Sequence, residues 1–280
     1  MRAQFLVAIT AFALSLTLPT SAQNADASKR PGGTWSSIAE LPNFTGVWEV
    51  SRGPAPGGAA KGAEKGAAKG AAKGAAKGAA KGAGKGAAKG GGQQPVVLTP
   101  AYQAIQAKYR ENPPQDSAAA NCVPPGMPGV MGQPYPIEFL FTPGKVTILI
   151  EAYMQIRHIY TDGRPLPEDP DLTFNGTSIG RWEGDTLVAE SVGFTPATPL
   201  AGGGVQHSDK MRIVERMRLA SPDLLEITTT VEDSEALAQP FTRTAYFARH
   251  ADWTMAEYVC QQNNRNFVTE DGKAGINLSR

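Results

Sequence analysis

Between Pro136 and Phe194, short runs rich in β-branched and aromatic residues alternate with turn residues, and this alternation restricts the fold more than any other feature of the chain. The runs are Ile137 to Thr142, Val146 to Ala152, Tyr153 to Arg164 and, after a proline-rich loop, Ser178 to Glu183 and Thr186 to Phe194. Such patterning is that of antiparallel strands joined by tight hairpins. Pro143-Gly144 presets one φ and supplies a positive one, as a type II turn needs, and Glu183-Gly184-Asp185 punctuates the next pair.

Three more strands are expected at Met211–Leu219, Leu224–Glu232 and Phe241–Arg249, the first two joined through Ser221-Pro222-Asp223. Upstream, Asn43 to Val50 reads as a first strand. Leu98-Thr99-Pro100 places an N-cap before an N1 proline and opens a helix to about Arg110, with Tyr102, Ile105 and Tyr109 on one face. The fold class that follows is all-β, an antiparallel up-and-down barrel of about nine strands with one short helix, because closure removes open edges. Gly46-Val47-Trp48 resembles the first-strand Gly-x-Trp of lipocalins and other calycins. That resemblance implies a calycin-like barrel with Trp48 closing one end.

Much of the 280-residue length lies outside these elements. Met1 to Ala22 reads as a secretory signal, with Arg2 in the n-region, an apolar run Phe5 to Leu18 and small residues Ser21 and Ala22 at the cleavage site. The run is short for a membrane span and no later one is present, so an exported, periplasmic or secreted protein without a transmembrane anchor is expected. Gly58 to Gly92 repeats Ala-Ala-Lys-Gly and carries eight lysines against Glu64 alone. A glycine in every turn disfavours helix, and the four-residue period offers no apolar stripe, so the tract is expected to be a flexible arm. It is a polycation suited to weak contact with anionic envelope polymers, or a tolerated loop expansion.

Setting aside those lysines, Glu64 and Arg2 leaves 18 basic against 25 acidic residues, an acidic folded part beneath a net charge of +1. The expected organisation is a leader at 1–22, an N-terminal segment at 23–43, the first strand at 44–50, a low-complexity insert at 51–97, helix and barrel at 98–266, and a tail at 267–280. Cys122 and Cys260 are the only cysteines. An oxidising compartment favours their pairing as one disulfide, the alternative being two buried thiols.

Apolar parity along a strand predicts its inner face. In Met211, Ile213, Glu215, Met217 and Leu219 the exception is a carboxylate, in Met154, Ile156, His158 and Tyr160 an imidazole, and in Phe241, Arg243, Ala245 and Phe247 a guanidinium. An ionised carboxylate in an apolar barrel needs partners, so Glu215, His158 and Arg243 are expected to converge. They would either specify strand register or line a cavity, with Glu215 and His158 moving protons and Arg243 gripping an anionic or carbonyl group. Tyr160, Asp162 and Arg164 at a strand end, and His207 in the following loop, are further candidate ligand contacts. Adjacent residues such as His207-Ser208-Asp209 cannot form a triad with one another. His158, His207 and His250 show no short metal-ligand spacing, and no glycine-rich phosphate loop opens a helix, so neither a metal nor a nucleotide cofactor is expected. Nor does the sequence predict sequence-specific nucleic-acid binding.

Cys122-x-Pro-x-Gly-x-Pro, Ile159 to Arg164, Ser178 to Val188, His207-Ser208-Asp209 and Glu215-Arg216 occur in this order. The series resembles a family of exported bacterial proteins, most of them uncharacterised, over roughly Cys122 to Asn264. The resemblance implies the compartment and a barrel, and no activity. Where many relatives carry Glu-Tyr-x-Cys-His-Glu-Gly-Asn, this chain has Gln261 and Gln262 after Cys260. Three functions are compatible with these readings: a barrel binding a small, partly apolar molecule, a lyase, isomerase or hydrolase using Glu215 and His158, and a structural envelope protein.

Overall fold

The computed structural model describes residues 27–53, 94–112, 121–200, 204–260, 266–268 and 274–276. The expected leader, the lysine tract and Gln261-Gln262 lie outside the described residues. Nine strands close into one barrel in sequence order: β1 (Val47–Ser51), β2 (Ile137–Thr142), β3 (Lys145–Ile150), β4 (Gln155–Tyr160), β5 (Thr177–Glu183), β6 (Thr186–Val192), β7 (Arg212–Ser221), β8 (Leu224–Glu232) and β9 (Phe241–His250). Among the described residues the short α-helices α1 (Trp35–Ile38) and α2 (Pro100–Glu111) accompany them, with a ribbon of β10 (Asn266–Val268) and β11 (Ala274–Ile276) in the region expected to be tail.

The barrel departs from the expected up-and-down meander at one junction, where β4 and β5 run parallel. An odd ring cannot alternate direction at every neighbour, so nine strands require a parallel pair. Returning the chain from the end of β4 to the start of β5 means recrossing the height of the barrel. Residues 161–176 make that journey with Pro165, Pro167 and Pro170, which have no N–H to add to a ladder. The junction is thinly paired: Ile159 meets Ser178 and Tyr160 meets Ile179, whereas β5 and β6 pair at seven positions.

One end of the barrel is sealed by aromatic packing. Trp48 is fully buried and donates its indole N–H to the Phe44 carbonyl at 2.9 Å, and Phe44 packs edge-on against Phe139 and Trp182. Arg249 lies 4.4 Å above the Trp48 ring and donates to the carbonyls of Asn43, Thr45 and Pro222. Gly46 sits beside Arg249 with φ 104°, a value a side chain would strain. The motif thus acts as a unit in which the glycine turns the chain and the tryptophan fills the end.

At the other end Met127, Val130 and Met131 are buried, and Met127 N–H bonds the Phe174 carbonyl at 2.9 Å. Thr99 and Pro100 begin α2 as expected, but the Thr99 hydroxyl donates to the Glu235 carbonyl at 2.7 Å instead of capping the helix. The packed face of α2 also differs from expectation. Ile105 is 43% exposed, and Gln106, flanked by half-buried Tyr102 and Tyr109, is the buried position. Both flanks of the lysine-rich insert meet β9, Ser51 opposite Tyr246 and Gln94 bonding the Thr242 carbonyl. The insert therefore leaves and rejoins the wall within four residues of β9, where added length costs little.

Cys122 and Cys260 form a disulfide across 138 residues, their Cα atoms 5.8 Å apart. Just before it, Ala256 N–H bonds Glu151 at 2.8 Å, and Tyr258 packs against Tyr135 and Tyr153 at 5.1 and 5.2 Å. Tyr153 and Met154 both adopt left-handed backbone, with φ 57° and 50°. Such a pair is costly for side-chain-bearing residues and is held by the strap above it. Replacing both cysteines with serine is expected to lower unfolding free energy by about 3 to 5 kcal/mol in a chemical denaturation experiment, with the strand signal retained. A loss under about 1 kcal/mol would show that the strap and barrel are uncoupled.

On the outer wall Arg181 and Arg212 both reach Glu190, at 2.8 and 2.6 Å, and Arg216 reaches Glu183 at 2.8 Å. Burial pushes the Glu190 carboxyl up, but Arg181 and Arg212 outweigh it and hold it below its ordinary value; Arg216 and Arg181 do the same for Glu183. Their stabilisation is therefore complete above the ordinary carboxylate range and lost as pH falls through the depressed values. Melting temperature should fall between about pH 5 and pH 2, and 1 M salt should flatten that dependence.

Candidate functional site

β7 and β9 turn Glu215 and Arg243 inward, as parity predicted. Glu215 pairs with Thr229 of β8, and Thr229 pairs with Arg243, so the three share one layer of the wall. The partner that neutralises Glu215 is Arg157. Both side chains are 1% exposed, and Arg157 Nη2 lies 2.5 Å from Glu215 Oε2, an ion pair not aligned as a hydrogen bond. Arg157 also donates to the hydroxyls of Ser178 on β5 and Ser191 on β6, at 3.3 and 3.0 Å, and these hydroxyls bond each other at 2.7 Å.

The cluster is richer in donors than in acceptors. Arg157 Nη1 and Arg243 Nε are buried with no hydrogen-bond partner among the described residues. Arg243 Nη2 donates to the Pro128 carbonyl at 2.6 Å, which ties the loop over this end of the barrel to β9. Burial pushes the Arg243 guanidinium below its ordinary value, and the charge of Glu215 opposes that fall.

His158 corrects the parity expected for β4. It lies on the outer face, exposed, with Nδ1 3.1 Å from the Thr147 hydroxyl, while Arg157 and Ile159 point inward. The reason is register: Ile148 is buried on β3 and Arg157 stands directly opposite it, so the two share a face. Glu215 and His158 therefore occupy opposite faces of the wall.

The thin pairing of β4 with β5 leaves a groove of about 340 Å³ on the outer wall. Ile156, His158 and Tyr160 line one side, Phe174 and Asn175 the other, and Arg157 and Ser178 also contribute. Asn175 spans it, donating to the Gln155 side chain at 3.1 Å and the Ile156 carbonyl at 3.4 Å, while its own Oδ1 is buried without a partner among the described residues. Ile156 is 55% exposed. The groove thus combines an apolar surface with amide, imidazole and phenol groups, directly outside the buried cluster.

Tyr160, Asp162 and Arg164 form a self-contained turn. Arg164 folds back onto both Asp162 carboxylate oxygens and stacks 3.8 Å over the Tyr160 ring, and its hydrogen bonds lower the Asp162 pKa. Tyr160 alone reaches the groove. His207 is buried in its own loop, where Nδ1 donates to the Ser208 carbonyl at 2.7 Å. Ser208 bonds Asp233 through both N–H and hydroxyl at 2.7 Å, so His207-Ser208 fastens the loop before β7 to the loop after β8. Asp209 pairs with Lys210 instead. Among the described residues no cluster of His, Cys, Asp and Glu is placed to hold a metal, and no helix is long and apolar enough to cross a membrane.

No protein-family model, curated protein or solved structure matches this chain. Apolar parity along single strands does not find Arg157, Ser178 or Ser191. The signal that finds them is the β3–β4 hairpin, since a four-residue connection from Glu151 to Met154 places Arg157 opposite Ile148. Glu215→Leu alone leaves Arg157 and Arg243 buried without a counter-charge and should cost about 3 to 5 kcal/mol in denaturant titrations, and adding Arg157→Met should recover part of that loss. Additive losses would show that the two residues act separately.

Proposed function

We propose that this is an exported β-barrel protein that binds a small, partly apolar molecule at the β4–β5 seam. The observation that carries the reading is that Arg157 and Ser178 belong at once to the outer groove and to the buried charged cluster. The groove is of the size that small ligands fill, with apolar walls at Ile156 and Phe174 and a few polar groups to orient a guest. Asn175 is the latch, since its amide occupies the span a ligand would take. The leader sequence and the formed disulfide support export. The lysine-rich insert beside β9 adds a cationic arm for anionic envelope polymers.

Acid–base chemistry between Glu215 and His158 is disfavoured, because a reacting atom cannot lie within hydrogen-bond reach of groups on opposite faces of the wall. Binding requires no such pairing. Native mass spectrometry of the gently purified protein is expected to show a retained small molecule, and the neutral dye Nile red should brighten on the emptied protein. Ile156→Asp, an exposed change that places a carboxylate in the groove, should weaken dye binding at least about tenfold while preserving the strand spectrum. Unaltered dye binding by Ile156→Asp, or a protein that neither retains a ligand nor takes up the dye, would remove the groove as a site.

A further inference from the structure

We infer that the molecule held at the seam carries a singly charged oxyanion, a carboxylate in the simplest case, which is received by the Arg157 guanidinium. This inference rests on the seam as the binding site and adds the chemical class of its guest. Its first support is charge. Arg157 and Arg243 face the single carboxylate of Glu215, which leaves one positive charge within the barrel's polar layer. Buried charge is costly unless it is neutralised, and a monoanion neutralises this cluster where a cation would double the imbalance.

The second support is hydrogen bonding. The two serine hydroxyls already satisfy each other and Arg157, but Arg157 Nη1 and Arg243 Nε have no acceptor among the described residues. Guanidinium N–H groups are donors only, and the cluster's one orphaned acceptor, Glu215 Oε2, faces two orphaned donor nitrogens, so the missing complement is a further acceptor, which a carboxylate oxygen supplies in charge-assisted form. The third is position. Arg157 is 1% exposed and lies behind a junction paired at only two positions, where strands part with little loss of backbone hydrogen bonding. Displacing the Asn175 side chain from Gln155 and Ile156 opens the way to it. The apolar part of the guest then stays outside on Ile156 and Phe174, and His158 and Tyr160 flank its path.

The test compares probes that share one tail. Hexanoate, hexanamide and hexylamine are titrated by calorimetry into the full chain, with Nile red in parallel to report on the groove. Hexanoate is expected to bind at least about tenfold more tightly than hexanamide, with no detectable binding of hexylamine. Formate, the head without the tail, should compete weakly. Formate equal to hexanoate would keep the anion and discard the tail. Arg157→Gln should erase the preference for hexanoate over hexanamide. Because that variant can lose stability, Arg243→Gln provides a second measurement, and by removing the excess charge it should reduce the preference to within about threefold. Hexanamide binding as tightly as hexanoate, or Nile red binding without hexanoate binding, would overturn the oxyanion and leave the groove standing. Failure of Nile red and hexanoate together would overturn both.

Discussion

Parity is the constraint on which this structure turns. A closed ring of nine strands cannot be antiparallel throughout, and the barrel's parallel strand pair is β4 with β5. Every other junction is closed by antiparallel ladders, most of them formed by hairpins that bring consecutive strands together at little entropic expense. The parallel contact requires a long return, and residues 161–176 run it with prolines that cannot form a tenth strand. The barrel is therefore closed but unevenly so: β1–β2 and β4–β5 are each paired at two positions, and the thin β4–β5 junction is the parallel one that the odd strand count requires.

The buried ion pair has to be understood against that weakness. Arg157 belongs to β4, Ser178 to β5, Ser191 to β6 and Glu215 to β7, so a single guanidinium links four consecutive strands across the thinly paired junction. Side-chain bonds on the inner face thus replace the ladder bonds that the parallel contact lacks. Small neighbours make room for this. Gly180 pairs with Ala189, and Ala189 pairs with Glu215, while a methyl group built on Gly180 would come within 2.6 Å of Ile159. A larger residue at 180 would push β4 away from β5, which are paired at only two positions.

Much of the fold was legible because hairpin signals are local. Pro143-Gly144, Gly184 and Ser221-Pro222-Asp223 marked their turns, and alternation along β7 and β9 correctly turned Glu215 and Arg243 inward. β4 departs from its own apolar parity for a physical reason. Met154, Ile156 and Tyr160 outnumber the apolar residues at 155, 157 and 159, so hydrophobic count favoured the wrong face. Side-chain orientation in a strand is inherited from its neighbour through register, and β3 presents buried Val146, Ile148 and Ile150 opposite Ile159, Arg157 and Gln155. The parallel contact was illegible to strand-by-strand patterning, since it follows from the strand count and from closure. The same limit hid Ser178 and Ser191, ordinary polar residues until β4 supplies an arginine between them.

The inward face of β4 buries Arg157 against Glu215. A buried ion pair is weak evidence for stability, since well-packed apolar residues of the same volume do as well or better, so its presence calls for another role. Specifying register at the parallel junction is one such role, and Arg157 with Glu215 and the two serines would be sufficient for it. Arg243 is not needed for register. It sits on β9 within the influence of Glu215, its guanidinium destabilised by burial, and it leaves Nε without an acceptor. A second arginine beside an already neutralised carboxylate raises the energy of the empty barrel. That cost is offset when an acceptor carrying negative charge enters, so the feature that register cannot explain is the feature a ligand would.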